Sequence, residues 1–181
     1  MVTKFFQALL KTNVAIAGIA VIGLIAVWGC GSRVETNNGE KYLLAAEPSG
    51  AVAVVALRAD AKDQDDVVVI GRIGGRRDPW IKGTAAFPIV DRSAKACNEI
   101  EGDTCPTPWD YCCEPNLADK TVLVMFADES GKPIKEDPRE LLSVKELQTV
   151  VVKGKAKRDK EGNLTVLASQ LHVRPLQQAK E

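Results

Sequence analysis

Apolar and polar positions along the chain change rhythm several times, and each change marks an element. The first apolar block, Val14 to Trp28, is continuous and uncharged. Ser32 to Glu40 follows with Ser, Thr, Asn, Gly and charges, the composition of a flexible tether. From Pro48 to Lys62, Ala51, Val52, Val54, Val55 and Leu57 in alanine-rich surroundings predict a short helix capped by Ser49, with a strand as the competing form of a valine-rich run.

Beyond the polar break Asp63 to Asp66, the run Val67-Val68-Val69-Ile70-Gly71-Arg72-Ile73-Gly74-Gly75 reads as a β-branched strand ended by glycines. Ala85 to Asp91 and Thr121 to Ala127 are β-rich, Glu129-Ser130-Gly131-Lys132 is a turn, and Pro138 to Gln148 has a helical pattern. Val150-Val151-Val152-Lys153-Gly154-Lys155-Ala156 repeats the valine start and the glycine, which suits a strand that coils sharply around a small barrel. The last strand, Leu164 to Arg174, is joined to it by a hairpin at Asp159 to Asn163, with Gly162 and Asn163 as the φ > 0 positions. Leu164, Val166 and Ala168 share one face while Leu171 and Val173 fall out of phase, so a bulge is expected near Ser169-Gln170.

Three strands, a helix and two strands is the order of the OB-fold, a five-stranded Greek-key barrel with its helix between strands three and four. In that barrel the first and fourth strands are neighbours, so Gly71 and Gly154 are expected on adjacent strands. A small β-sandwich or open sheet is the competing architecture. The organisation that follows is a leader at 1–29, a tether at 30–42, an OB-fold-like domain at 43–176 and a tail at 177–181.

Charge and composition narrow the partners. The chain carries 24 basic and 24 acidic residues, and its leader holds Lys4 and Lys11 with no acid. The remainder is therefore slightly acidic, which is not a polyanion-binding composition. Lys153, Lys155 and Lys157 alternate on one strand face, yet no aromatic interleaves with them and aromatics make up 5 % of the chain. Such a stripe reads as the solvated outer face of an antiparallel strand, and nucleic acid is not an expected partner. His172 is the single histidine, near the end of a strand and without a partnered nucleophile, so no catalytic constellation is present and a non-enzymatic protein is expected.

Lys4 and Lys11, the apolar run and Gly29-Cys30-Gly31-Ser32 form the basic, apolar and small-residue regions of a secretory signal. The ending resembles the lipobox of bacterial lipoproteins, which implies diacylation of Cys30, cleavage before it and stable attachment to a membrane through that lipid. An uncleaved anchor is the alternative, for which the run is shorter than the ~18 to 20 apolar residues that span a bilayer. Either way the domain is expected on the periplasmic side of a membrane in the cell envelope. By the same resemblance, Gly31 rather than Asp after the cysteine favours the outer membrane.

The segment Cys97 to Pro115 lies between the second and third barrel strands and holds four of the five cysteines, with Trp109 and Tyr111. Its Cys105-Pro106-Thr107-Pro108-Trp109-Asp110-Tyr111-Cys112-Cys113-Glu114 resembles a segment shared by an uncharacterised bacterial family of exported OB-fold lipoproteins, and the resemblance takes in Gly71 to Gly75. It implies an architecture and no established activity. In an oxidising compartment Cys97, Cys105, Cys112 and Cys113 are expected to form two structural disulfides, a Cys112 to Cys113 bond being the least favoured. The rival is a site for zinc or copper, helped by Asp110 or His172, or redox-active thiols; no Cys-x2-Cys pair supports it. Trp109 and Tyr111 either pack on the barrel mouth or wall a shallow ligand pocket with Asp110 or Glu114 as its polar anchor. The function expected is a membrane-anchored binding or structural module for an envelope protein or a small ligand, and the alternative is a metal-binding or thiol-redox protein using the insert.

Overall fold

In a computed structural model, which describes residues 38–175, the valine-rich runs pair with one another in one sheet. The elements in chain order are β1 (Val52–Ala53), α1 (Val54–Asp60), β2 (Asp66–Ile73), β3 (Ala86–Val90), β4 (Thr121–Phe126), α2 (Pro138–Leu142), β5 (Thr149–Arg158) and β6 (Leu164–Val173). β2 is antiparallel to both β3 and β5, β3 to β4, and β5 to β6, while β4 runs parallel to β6. The ring β2-β3-β4-β6-β5 is a closed five-stranded barrel with the OB-fold connectivity expected from the pattern. β1 adds a short parallel strand to β2. The leader 1–29, Cys30, the tether up to residue 37 and the tail from residue 176 lie outside the described residues.

Gly71 and Gly154 do lie on paired strands: Val67 faces Gly154 and Gly71 faces Val150. A Cβ on Gly154 would stand 2.2 Å from the Leu167 carbonyl oxygen, and one on Gly71 would stand 2.9 Å from that of Val90. Both strands must coil here to close a small barrel, and only glycine leaves the room. The phase change in β6 is also real. Lys153 faces Gln170 but Gly154 faces Ala168, so Ser169 is the extra residue, and its hydroxyl donates to the Lys153 carbonyl at 3.1 Å. The bulge lets Leu164, Val166, Ala168 and then Leu171 all enter the core.

Four aromatic rings pack together in that core. Phe87 and Phe126 sit inside, with Trp80 edge-on to Phe87 at 5.8 Å and Tyr42 edge-on to Phe126 at 5.4 Å. Ordered structure therefore begins before Leu43: Glu40–Tyr42 is a 3-10 turn, and Tyr42, placed by the sequence pattern at the end of the tether, is part of the core. Lys153, Lys155 and Lys157 are exposed on the outer face of β5, where Lys155 pairs with Asp66 at 2.8 Å.

Three local expectations are corrected. The helix expected from Pro48 to Lys62 is confined to α1, because Val52 and Ala53 pair with Val69 and Ile70 instead; Ser49 is not its cap. The helix expected to reach Gln148 stops at Leu142, where Ser143 takes φ +53°. From there the chain turns to meet β2, with the Leu147 N–H donating to the Ile73 carbonyl at 2.8 Å and the Ile73 N–H to the Gln148 carbonyl at 3.0 Å. In the β5–β6 hairpin Gly162 alone takes positive φ; Asn163 instead donates its side-chain amide to Asp159 at 2.8 Å.

Candidate metal centre

The cysteine segment leaves the barrel at the end of β3 and returns at β4. Its root is Asp91, which is 4 % exposed. One carboxylate oxygen accepts the Val55 N–H at 2.9 Å and the other the Ser93 N–H at 2.9 Å, so Asp91 caps α1 from a different part of the chain. Burial alone would raise its pKa, but these bonds and one from the Val54 N–H outweigh that and hold the carboxyl below its ordinary value.

Above this root lies a second small core of Val90, Ala94, Ala96 and Tyr111, with Leu117 and Leu147 against it. Tyr111 is fully buried at φ +58°, and burial pushes its hydroxyl up to about 12. The Gly74-Gly75 pair just after β2 is its seat. A Cβ on Gly74 would stand 2.4 Å from the Trp109 carbonyl oxygen and 2.9 Å from the Tyr111 ring, and the Gly75 N–H donates to the Trp109 carbonyl at 2.8 Å. Arg72 completes the support: its guanidinium lies 5.5 Å over the Tyr111 ring, pairs in two-pronged fashion with Glu99 at 2.5 and 2.9 Å, and donates to the Ala94 carbonyl. Glu99 in turn accepts the Ala96 N–H at 2.8 Å, which fixes the 3-10 turn Cys97–Glu99.

This scaffold assigns structural work to residues that were candidates for a pocket. Tyr111 is spent on the core. Glu114 accepts the Lys95 N–H at 3.0 Å and pairs with the Lys120 ammonium, tying the insert to the start of β4, and its pKa is lowered chiefly by Lys120. Trp109 is half-buried with its indole N–H on the Arg77 carbonyl at 3.1 Å. Asp110 is half-buried at the end of the 3-10 turn Pro108–Asp110.

On this support the four cysteines converge. Cys97 is buried, Cys105 half-buried, and Cys112 and Cys113 are exposed. The sulfur of Cys112 lies 3.6 Å from that of Cys97 and 3.9 Å from that of Cys113. A disulfide needs about 2.05 Å. No pair among the four is joined in the structure. Two sets of ligand atoms each lie within 4.8 Å of one another: Cys97, Cys105 and Cys112, and Cys97, Asp103 and Cys113.

Asp103 was not anticipated, and neither Asp110 nor His172 joins these sets. His172 bonds the Leu44 carbonyl through Nδ1 at 2.9 Å on β6. The local signal was the Asp-x-Cys spacing, since one Asp103 oxygen accepts the Cys105 N–H at 2.7 Å in a tight turn. The other oxygen accepts from the Cys113 thiol at 3.7 Å.

The thiols differ in acidity. The Thr107 amide and hydroxyl stabilise a thiolate at Cys105 and lower its pKa. Hydrogen bonds with the Cys97 and Cys113 thiols push Cys112 up to about 12. At Cys113 the Cys112 thiol favours the thiolate, but desolvation and the Asp103 charge prevail and raise it.

No family profile and no curated protein sequence matches the chain. Among solved structures it is similar to a Leishmania major Friedlin protein assigned as an aspartyl-tRNA synthetase, at 12 % identity and a TM-score of 0.40 over 75 % of this chain and 22 % of that one. It is also similar to a DUF3299 family protein from Pseudomonas aeruginosa PAO1, at 18 % identity and a TM-score of 0.33 over 64 % of this chain and 65 % of that one. The chain thus spans less than two thirds of either.

Proposed function

We propose that this protein is a membrane-tethered lipoprotein of the cell envelope whose OB barrel presents a thiolate site for a divalent, zinc-like ion, and that it acts by binding rather than catalysis. The address rests on the leader and Cys30, with Gly31 favouring the outer membrane. The metal rests on one observation: Cys97, Cys105 and Cys112 hold their sulfurs within 4.8 Å of one another, with one pair at 3.6 Å. Tetrahedral thiolates about 2.3 Å from zinc lie roughly 3.8 Å apart. A spacing of this size is compatible with ligands around one ion and is too long for a bond.

In the oxidising compartment that the leader implies, a bound ion would also protect neighbouring thiols by occupying the sulfurs. Neutral thiols must lose their protons to bind, and Thr107 favours that step at Cys105. The test is elemental analysis and mass measurement of the chain purified without chelator. Stoichiometric zinc, with all four thiols recovered after its removal, is the expected result. Two disulfides and no ion would overturn the proposal and restore the insert as an oxidised staple.

A further inference from the structure

The structure assigns the insert room for two metal ions that share the Cys97 thiolate, one held with Cys105 and Cys112 and the other with Asp103 and Cys113. This inference rests on the thiolate site proposed above and extends it from one ion to a pair. Its observation is the way the ligand atoms group: they make two triads that overlap at a single residue.

That grouping answers the difficulty posed by adjacent cysteines. Cys112 and Cys113 are neighbours in the chain and ill-suited to one tetrahedral ion. Their sulfurs lie 3.9 Å apart, yet each completes a different triad with Cys97, which lets each serve its own ion. Cys97, the shared ligand, is the fully buried member, while Cys112 and Cys113 are exposed. A buried thiolate is costly without nearby positive charge, and a bridging position gives it two cations.

Charge favours the pair as well. Once deprotonated by binding, four thiolates and one carboxylate would carry five negative charges; one divalent ion would leave three uncompensated, and two would leave one. Asp103 is disposed for the second site because its two oxygens are differently engaged. One is held by the Cys105 N–H, and the other faces Cys113. A sulfur and carboxylate set suits zinc or cadmium, since copper(I) prefers sulfur alone. Each triad supplies three protein ligands and leaves one position open, as in sites that exchange ligands rather than in closed structural ones.

The test is native mass spectrometry of the full chain, stripped and reduced, then titrated with zinc and separately with cadmium. Two ions per chain are expected. Asp103→Asn keeps an oxygen for the Cys105 N–H but replaces the facing oxygen with an amide, so it should bind one ion with an unchanged Tm before metal is added. Cys113→Ser should also bind one. Glu101→Gln, an exposed acid outside both triads, should still bind two, which separates a built site from weak surface binding.

A wild-type stoichiometry of one overturns the shared-ligand pair and leaves the metal site standing. A stoichiometry of zero overturns both. Two ions retained in Asp103→Asn, or a second ion lost in Glu101→Gln, would also overturn the pair.

Discussion

The backbone N–H of Gly75 donates to the carbonyl of Trp109 at 2.8 Å, joining the end of the first barrel strand to the middle of the cysteine insert. The glycine-rich Gly71 to Gly75 run and the Pro-Thr-Pro-Trp-Asp-Tyr run are distant in sequence and form one structural unit. Within the Gly71 to Gly75 run Gly74 makes the tightest approach, with the Trp109 carbonyl where its Cβ would go. Gly74→Ala should therefore lower stability by about 1 to 3 kcal/mol through overpacking. Gly83→Ala, with nothing within 4 Å, should cost less, from its positive φ alone. Thermal denaturation of the two variants compares them directly, and equal losses would refute the seat.

Tyr111 offers a test with the opposite sign. Its hydroxyl is buried with no hydrogen-bond partner among the described residues, whereas its ring fills the second core under Arg72. Tyr111→Phe removes an unsatisfied polar atom and keeps the ring, so it should be neutral or stabilising by up to about 1 kcal/mol. Tyr111→Ala should cost about 3 to 5 kcal/mol. A Phe variant less stable than wild type in chemical denaturation would mean that the hydroxyl has a partner.

Asp91 gives the stability of the domain an acid limb. Its folded pKa is lowered, so the stability it contributes is fully present above the unfolded value near 3.9 and is lost as pH falls through the lower, folded value. Asp91→Ala takes the acceptor from the Val55 N–H and should cost about 1 to 2 kcal/mol at neutral pH, as other caps do. The variant should also lose less stability than wild type between pH 4 and the acid end of the titration. Parallel acid limbs in the two proteins would exclude Asp91 as the source.

Chelation should act on the insert before the barrel. The barrel core and the Tyr111 core are separate clusters, and the cysteines lie in the insert that carries Tyr111. Removing the ion should increase proteolysis and hydrogen exchange between residues 95 and 115 while the protection of β2 and β5 is retained. Global unfolding on chelation would show instead that the ion holds the barrel itself.

Lipidation is tested at the leader. Cys30→Ala removes the sulfur that would carry the lipid, so the variant should keep its full leader and fail to incorporate labelled fatty acid. Normal processing of the variant would dismiss Cys30 as the attachment point.

The barrel was legible in the chain because its signals are local and repeated. Valine runs with one glycine, a phase change in β6 and a hairpin with Gly162 give strand number, order and bulge position, since side-chain period and backbone room are properties of short windows. Where local signals competed, tertiary pairing decided: Val52 and Ala53 left the expected helix to extend the sheet, and Leu142 ended α2 because the following residues had to meet Ile73. The cysteines announced a cluster by composition alone, and the compartment suggested disulfides. Only the fold could set the sulfurs 3.6 and 3.9 Å apart and bring in Asp103 beside Cys113, because ligand geometry depends on where Arg72, Gly74 and Gly75 hold the loop. Those positions lie on β2 or just beyond its end, and no window of sequence contains both halves of the contact.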